Sequence, residues 1–139
     1  MNALLYPTGI QRPRMVRLPV DIDYTDAVDA TGWVADTHTA PWFPNGAKYT
    51  KVDSHLGEDR PLKNCYTIVT SCKQRPAQIN KCILGMFGIR IRGNVLVLRH
   101  ARRITVQVTS MHPSEGQFVD AIVARYAKTG VYVIVEATY

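Results

Sequence analysis

The feature that most constrains this chain is a strict alternation of apolar and other residues near its start. Every second position from Val16 to Tyr24 is apolar. Because successive side chains of a strand point to opposite faces, this period of two predicts a β-strand with one buried face. Pro19 falls on the opposite phase, which predicts an edge strand or a bulge.

Other short runs that are rich in β-branched residues predict further strands. They lie at residues 48–56, 65–72, 104–109 and 131–139. Gly93 and Asn94 separate two more apolar runs, 89–92 and 95–98, and this dipeptide is typical of a hairpin turn. The sequence therefore reads as a succession of strands.

Only one segment argues for a helix, at about residues 115–128. Ser114 is a candidate N-cap with Gln117 in the capping-box position, and the apolar residues that follow have helical spacing. A pair of strands is the alternative for this segment. The predicted fold class is mainly β, a single-domain sandwich or jelly-roll-like barrel of seven to nine strands with at most one helix.

The first fifteen residues predict an extended N-terminal arm. Pro7, Gly9 and Pro13 interrupt any regular element, and the arm carries Arg12 and Arg14. Residues 16–139 are then expected to form one mainly-β domain, which is long enough to bury a core.

Charge is distributed unevenly along the chain. The net charge is +6, yet the stretch between Asp59 and Glu115 holds ten Lys and Arg and no acid. Five of the eleven acids lie within Asp21 to Asp36. Such a distribution produces a positive field over part of the molecule, which attracts polyanions or an acidic protein surface.

The candidate polyanion- or partner-binding residues are cations of this acid-free window. They are Lys73, Arg75, Arg90, Arg92, Arg99, Arg102 and Arg103. Arginine forks match phosphate geometry, so one reading is salt-sensitive binding of nucleic acid that tolerates any base sequence. The equal alternative is that the basic face pairs with the acidic 21–36 region of a neighbouring copy.

The sequence contains no recognisable catalytic, phosphate-binding or zinc-binding motif. There is no GxSxG nucleophile motif and no glycine-rich phosphate loop, and the C-x6-C-x9-C spacing of Cys65, Cys72 and Cys82 fits no zinc template. We therefore predict no catalytic residues, no metal, no cofactor and no enzymatic activity. The longest apolar runs are too short to span a membrane.

Two segments carry a resemblance to a known class of proteins. DATGWVADTHTAPWFPNGAKYTKVDSHL, residues 29–56, and KTGVYVIVEATY, residues 128–139, resemble segments of small β-sandwich structural proteins of tailed-phage and viral particles, of the head decoration or capsid-associated type. Pro44, Gly46 and Ala47 hold the matching places in the first segment.

The resemblance implies a non-enzymatic virion structural protein, such as a capsid, decoration or connector subunit, that acts in many copies. Its partners would be further copies and other virion proteins, within a virion assembled in the host cytoplasm. Three arginines near the N-terminus would take part in assembly through the arm: Arg12, Arg14 and Arg17. Trp42 and Phe43, if exposed, would be interface anchors. The alternative function is a nucleic-acid-binding β-barrel protein that uses the basic window 60–114.

Overall fold

A computed structural model of the protein describes residues 1–19, 22–25, 30–33, 36–52, 55–57, 60–61, 65–73, 77–101 and 104–129. The strands in these ranges are β1 (Asn2–Tyr6), β2 (Arg14–Arg17), β3 (Ile22–Thr25), β4 (Ala30–Trp33), β5 (Ala47–Val52), β6 (His55–Gly57), β7 (Arg60–Pro61), β8 (Cys65–Ser71), β9 (Val95–Ala101) and β10 (Ile104–Thr109). The helices are α1 (Asp36–Thr39), α2 (Lys81–Phe87) and α3 (Gly116–Thr129), with a 3-10 helix at Pro113–Glu115.

Eight strands form one antiparallel sheet that branches at β9. One edge of β9 pairs with β8, which pairs with β5. The other edge of β9 pairs with two strands in succession: Leu96 lies opposite Leu5 of β1, and Arg99 lies opposite Thr109 of β10. From there β1 leads to β2, and β10 leads to β4 and β3. A separate ribbon contains β6 and β7.

One face of the sheet, which we call the helix face, is covered by α2 and α3. Its buried side chains are Leu4, Tyr6, Tyr66, Ile68, Cys82, Ile83, Val95, Val97, Met111, Val119, Ile122, Val123 and Tyr126. Four of them occur on α3 at the spacing i, i+3, i+4 and i+7, so they form one apolar stripe toward the sheet. Burial of this stripe is the main source of stability for α3.

The opposite face, which we call the loop face, is covered by connecting segments. Phe43 from the loop after α1 and Leu18 from the segment after β2 are buried there against Leu5, Val69 and Leu96. Strands β1, β8 and β9 therefore bury apolar side chains on both faces, which explains why these strands contain runs of adjacent apolar residues rather than a simple alternation.

The helix ends follow local rules of capping. Asn80 caps α2 because its side-chain oxygen accepts a hydrogen bond from the backbone N–H of Ile83 at 2.9 Å. Gly88 ends α2 in the left-handed conformation, with φ of 70°, and its N–H donates to the Leu84 carbonyl. None of the described helices is long and apolar enough to cross a membrane.

The mainly-β class and the helix expected at 115–128 are confirmed, but the predicted sandwich or barrel is not. The sheet is open, since β2, β3 and β5 each pair on one side only within the described residues. The limit of one helix is also wrong, because α1 and α2 are present besides α3. Both are too short for periodicity to reveal, at four and seven residues.

The extended arm predicted for residues 1–15 is wrong over residues 2–6. Residues 2–6 form β1, whose Ala3, Leu5 and Tyr6 are at most 1 % exposed. The prolines that argued against regular structure instead bracket the strands, because Pro7 follows β1 and Pro13 precedes β2. This segment is part of the core.

Two smaller strand predictions also need correction. The alternating run from Val16 to Tyr24 is divided between β2 and β3, which lie at separate edges of the sheet. Residues 89–92 do not form a hairpin with β9, and Arg92 makes only an isolated bridge to Ile79. The strand predicted at 131–139 lies outside the described residues.

A substitution can distinguish a core strand from an arm. Leu5→Ala removes a buried side chain from the centre of β1 and should lower the free energy of unfolding by about 2–5 kcal/mol. Asn2→Ala, in the exposed first position of the same strand, should change it by less than about 0.5 kcal/mol. Urea denaturation followed by circular dichroism measures both. Equal small effects would show that β1 is dispensable.

Candidate functional site

Exposed cations collect at one end of the sheet, where β1 and β8 finish and β9 begins. We call this surface the basic end. It contains the exposed residues Arg12, Lys73, Lys81, Arg90 and Arg92. These residues come from four separate segments of the chain, so their proximity depends on the contacts that join those segments.

The central contact is the side chain of Asn80, which is fully buried. Its amide nitrogen donates to the carbonyls of Tyr6 at 2.8 Å and of Gly93 at 2.9 Å, while its oxygen caps α2. One side chain thus joins the end of β1, the turn before β9 and the start of α2. Since both amide hydrogens and the oxygen have partners, its burial carries no penalty for unsatisfied groups.

Glycine is required at position 93 by space and by conformation. Its φ is 85°, and a Cβ atom there would lie 2.7 Å from the Ser71 hydroxyl oxygen. Its N–H donates to the Gln78 carbonyl at 2.7 Å. The close approach brings the end of β8, and so Lys73, beside the segment that carries Arg92.

Further backbone contacts attach the remaining cations to this end. The Lys81 N–H donates to the Thr8 carbonyl at 3.3 Å, which places α2 against the loop that contains Arg12. The Asn94 side chain accepts from the Thr8 N–H at 2.9 Å. The loops on this end are therefore fixed to one another by hydrogen bonds.

The alternation predicted for residues 89–92 is present without the strand. Ile89 and Ile91 pack against the core on the helix face, whereas Arg90 and Arg92 are exposed. The Arg92 guanidinium also donates to the Ala77 carbonyl at 3.1 Å. Lys73 is exposed as well, while three other predicted binding residues, Arg75, Arg102 and Arg103, lie outside the described residues.

Arg99 does not belong to the basic surface. Its side chain is 15 % exposed and lies 3.8 Å from the Glu115 carboxylate. Glu115 also accepts from the Tyr66 hydroxyl at 2.6 Å and from the His112 N–H at 2.7 Å. This arginine therefore holds the start of α3 on the sheet, and its role as a binding residue stays a prediction.

Of the two proposed interface anchors, Phe43 is not exposed and Trp42 is exposed only in part. Phe43 is 2 % exposed in the core of the loop face, and Trp42 is half-buried against the same cluster. The Trp42 carbonyl accepts from the Asn94 amide at 3.0 Å. The proline-bounded loop therefore covers the sheet instead of projecting from it.

The two outer strands of one strand path carry opposite charges. β2 and β3 stand at the two ends of the order β2-β1-β9-β10-β4-β3. β2 exposes Arg14 and Arg17, and we call it the basic edge. β3 carries Asp23 and is flanked in the sequence by Asp21 and Asp26, so we call it the acidic edge.

Three titratable side chains with shifted pKa values are buried in the core. Burial raises the pKa of Tyr6, whose hydroxyl donates to Asp120 at 2.5 Å. Burial and the Asp120 carboxylate also raise the pKa of Cys82 to about 11. The pKa of Tyr126 is raised by burial. A thiol with a raised pKa is a weak nucleophile at neutral pH, so these groups favour a structural role.

Sequence reasoning missed two residues of the basic end. Lys81 lies in the acid-free window but is not among the predicted binding residues, and Asn80 is not predicted to have a role. The available signal is Asn80 itself, an N-cap residue immediately before an apolar run.

Comparison with known proteins gives no match for this chain among protein-family models, curated proteins or solved structures. Within the part of the chain that the structure describes, no three His, Cys, Asp or Glu side chains are grouped so that they could hold a metal ion.

Asn80→Ala should lower the free energy of unfolding by about 2–4 kcal/mol, because it removes a helix cap and two donors to buried carbonyls. Gln78→Ala, an exposed neighbour, should change it by less than about 0.5 kcal/mol. Chemical denaturation measures the difference. A small effect at Asn80 would mean that the basic end does not depend on this contact.

Stability should fall at alkaline pH. The folded state raises the pKa of the Cys82 thiol from 9.0 to about 11, so its contribution is complete below pH 9.0 and is lost as the pH rises through about 11. Cys82→Ala should therefore reduce the slope of unfolding free energy against pH in this window. Cys72→Ala, which removes an exposed thiol, should keep the slope of the parent. Identical slopes in all three proteins would contradict the burial of Cys82.

Proposed function

We propose that this chain is a non-enzymatic virion structural protein, a capsid, decoration or connector subunit that assembles in many copies through complementary charged surfaces. The observation that carries the proposal is the opposite charge of the two outer strands. The basic edge of one copy complements the acidic edge of the next. No free N-terminal arm is needed for this mode of assembly.

The charges also select how two copies meet. Two basic edges repel each other, as do two acidic edges, so a symmetric contact between like edges is disfavoured. A basic edge against an acidic edge is attractive and leaves one edge of each kind exposed on the pair. Contacts of this head-to-tail type build rings or extended arrays, which suits a subunit that acts in many copies.

A non-catalytic role agrees with the location of the shifted groups. The Cys82 thiol, the Tyr6 hydroxyl and the Tyr126 hydroxyl are all within the core of the helix face. The polar cluster around Glu115 is occupied by contacts that attach α3 to β8 and β9. These groups stabilise the fold.

The test uses two variants with opposite defects. The first, Arg14→Glu with Arg17→Glu, makes both edges acidic, and the second, Asp23→Lys with Asp21→Lys, makes both edges basic. Each variant alone should stay monomeric in analytical ultracentrifugation at a concentration where the parent assembles. An equal mixture should assemble again, because every contact then joins an acidic edge to a basic edge.

If the mixture of the two variants assembles, this result also shows that both variants are folded. Lys73→Glu, an exposed charge reversal away from both edges, should assemble like the parent. Negative-stain electron microscopy of the parent should show rings, tubes or shells. A parent that is monomeric at every concentration, or a mixture that fails to assemble while both variants are folded, would contradict the proposal.

A further inference from the structure

We propose that the basic end binds the phosphate backbone of duplex nucleic acid and makes no readout of the bases. The basic end adjoins the basic edge at Arg14, which lies opposite Leu5. The inference concerns the cations of the basic end alone and does not depend on the assembly proposed above. It rests on the way the fold gathers cations that are distant in sequence.

The gathering is produced by specific contacts. Ser71 and Gly93 approach each other at the end of β8, which brings Lys73 toward Arg92. The bridge between Ile79 and Arg92 and the bond from Lys81 to Thr8 bring the start of α2 and the loop before β2 to the same place. The cations are therefore brought together by the fold and not by their proximity in sequence.

The cations of this surface are exposed and stand on a fixed base. The buried Asn80 amide joins the segments beneath them, and Ile89 and Ile91 hold the intervening chain against the core. The bond from Arg92 to the Ala77 carbonyl fixes the direction of that side chain. Preorganised cations lose less conformational entropy when they bind phosphate.

Charge favours a polyanion at this end. Four of the five cations of the basic end come from the stretch 60–114, which contains no acid. Arginine and lysine neutralise phosphates and release the counterions that surround nucleic acid, and this release provides affinity without base contacts.

A duplex fits better than a single strand. Proteins that bind single strands add exposed aromatic side chains for stacking on bases. The aromatic residues Tyr6 and Phe87, which adjoin these cations in sequence, instead pack in or against the core of the helix face.

The experiment measures fluorescence anisotropy of a short labelled DNA duplex, a duplex of RNA with the same sequence and the corresponding single DNA strand. The protein is kept below its assembly concentration, and salt is varied from about 50 to about 200 mM. The parent should bind at least one duplex more tightly than the single strand, with affinity that falls as salt rises. Competition by unlabelled duplexes of different sequence should be equal.

The variant Lys81→Gln with Arg90→Gln should reduce the slope of log affinity against log salt by about 0.9 for each phosphate that the protein no longer neutralises. The matched control is Arg17→Glu, which lowers the net charge by the same two units at the far end of β2, opposite Asn2. It should retain the slope of the parent while weakening assembly. Melting temperatures of both variants should stay within a few degrees of the parent, since all three side chains are exposed.

Several results would overturn the inference. Equal reductions of the slope in the two variants would mean that net charge alone causes binding. Tighter binding of the single strand, or binding of anionic phospholipid vesicles or heparin without binding of either duplex, would exclude a duplex site. Binding of the DNA duplex, the RNA duplex or both supports it and identifies the source of the phosphates.

Discussion

The buried side chain of Asn80 is the interaction on which this arrangement depends. Its hydrogen bonds join the end of β1, the turn before β9 and the first turn of α2. The Asn80 amide reaches the Tyr6 carbonyl across 74 residues of the chain. An apolar residue could fill the same space, but it could not fix the direction in which three backbone segments leave the core. Hydrophobic burial gives the fold its stability, and this amide gives one end of the fold its shape.

The amino-acid pattern is informative where one face of an element is buried and the other is solvated. The strand at 65–72 and the helix near 115–128 follow from β-branched content and from helical spacing, and both are present. β1 could not be recognised in this way, because Leu4 and Leu5 are buried on opposite faces of the sheet. Periodicity vanishes when both faces are covered. The open sheet could not be predicted either, since pairing between β1 and β9 joins residues that are distant in sequence.

For the candidate site, composition identifies the sign of the charge but not its location. Arg90 and Arg92 are exposed as expected, whereas Arg99 is largely buried beside Glu115. Nothing in the run from Val95 to Ala101 distinguishes an arginine at the surface from one beneath a helix. The prediction for Phe43 fails for a similar reason: an aromatic residue between prolines can project from a loop or close it over the sheet. The three-dimensional contacts decide each case.

The position of β1 has a consequence for the order of events during synthesis. Its partner β9 lies about ninety residues further along the chain, and Tyr6 contacts Asp120 across 114 residues. During translation, the apolar side chains of β1 must therefore wait until β9 and α3 have left the ribosome. β1 can pair with β2 early, but its other edge stays open until β9 is made, and such long-range pairing is slow and exposed to aggregation. Truncated products that end before β9 should therefore expose the apolar side chains of β1 and be prone to aggregate.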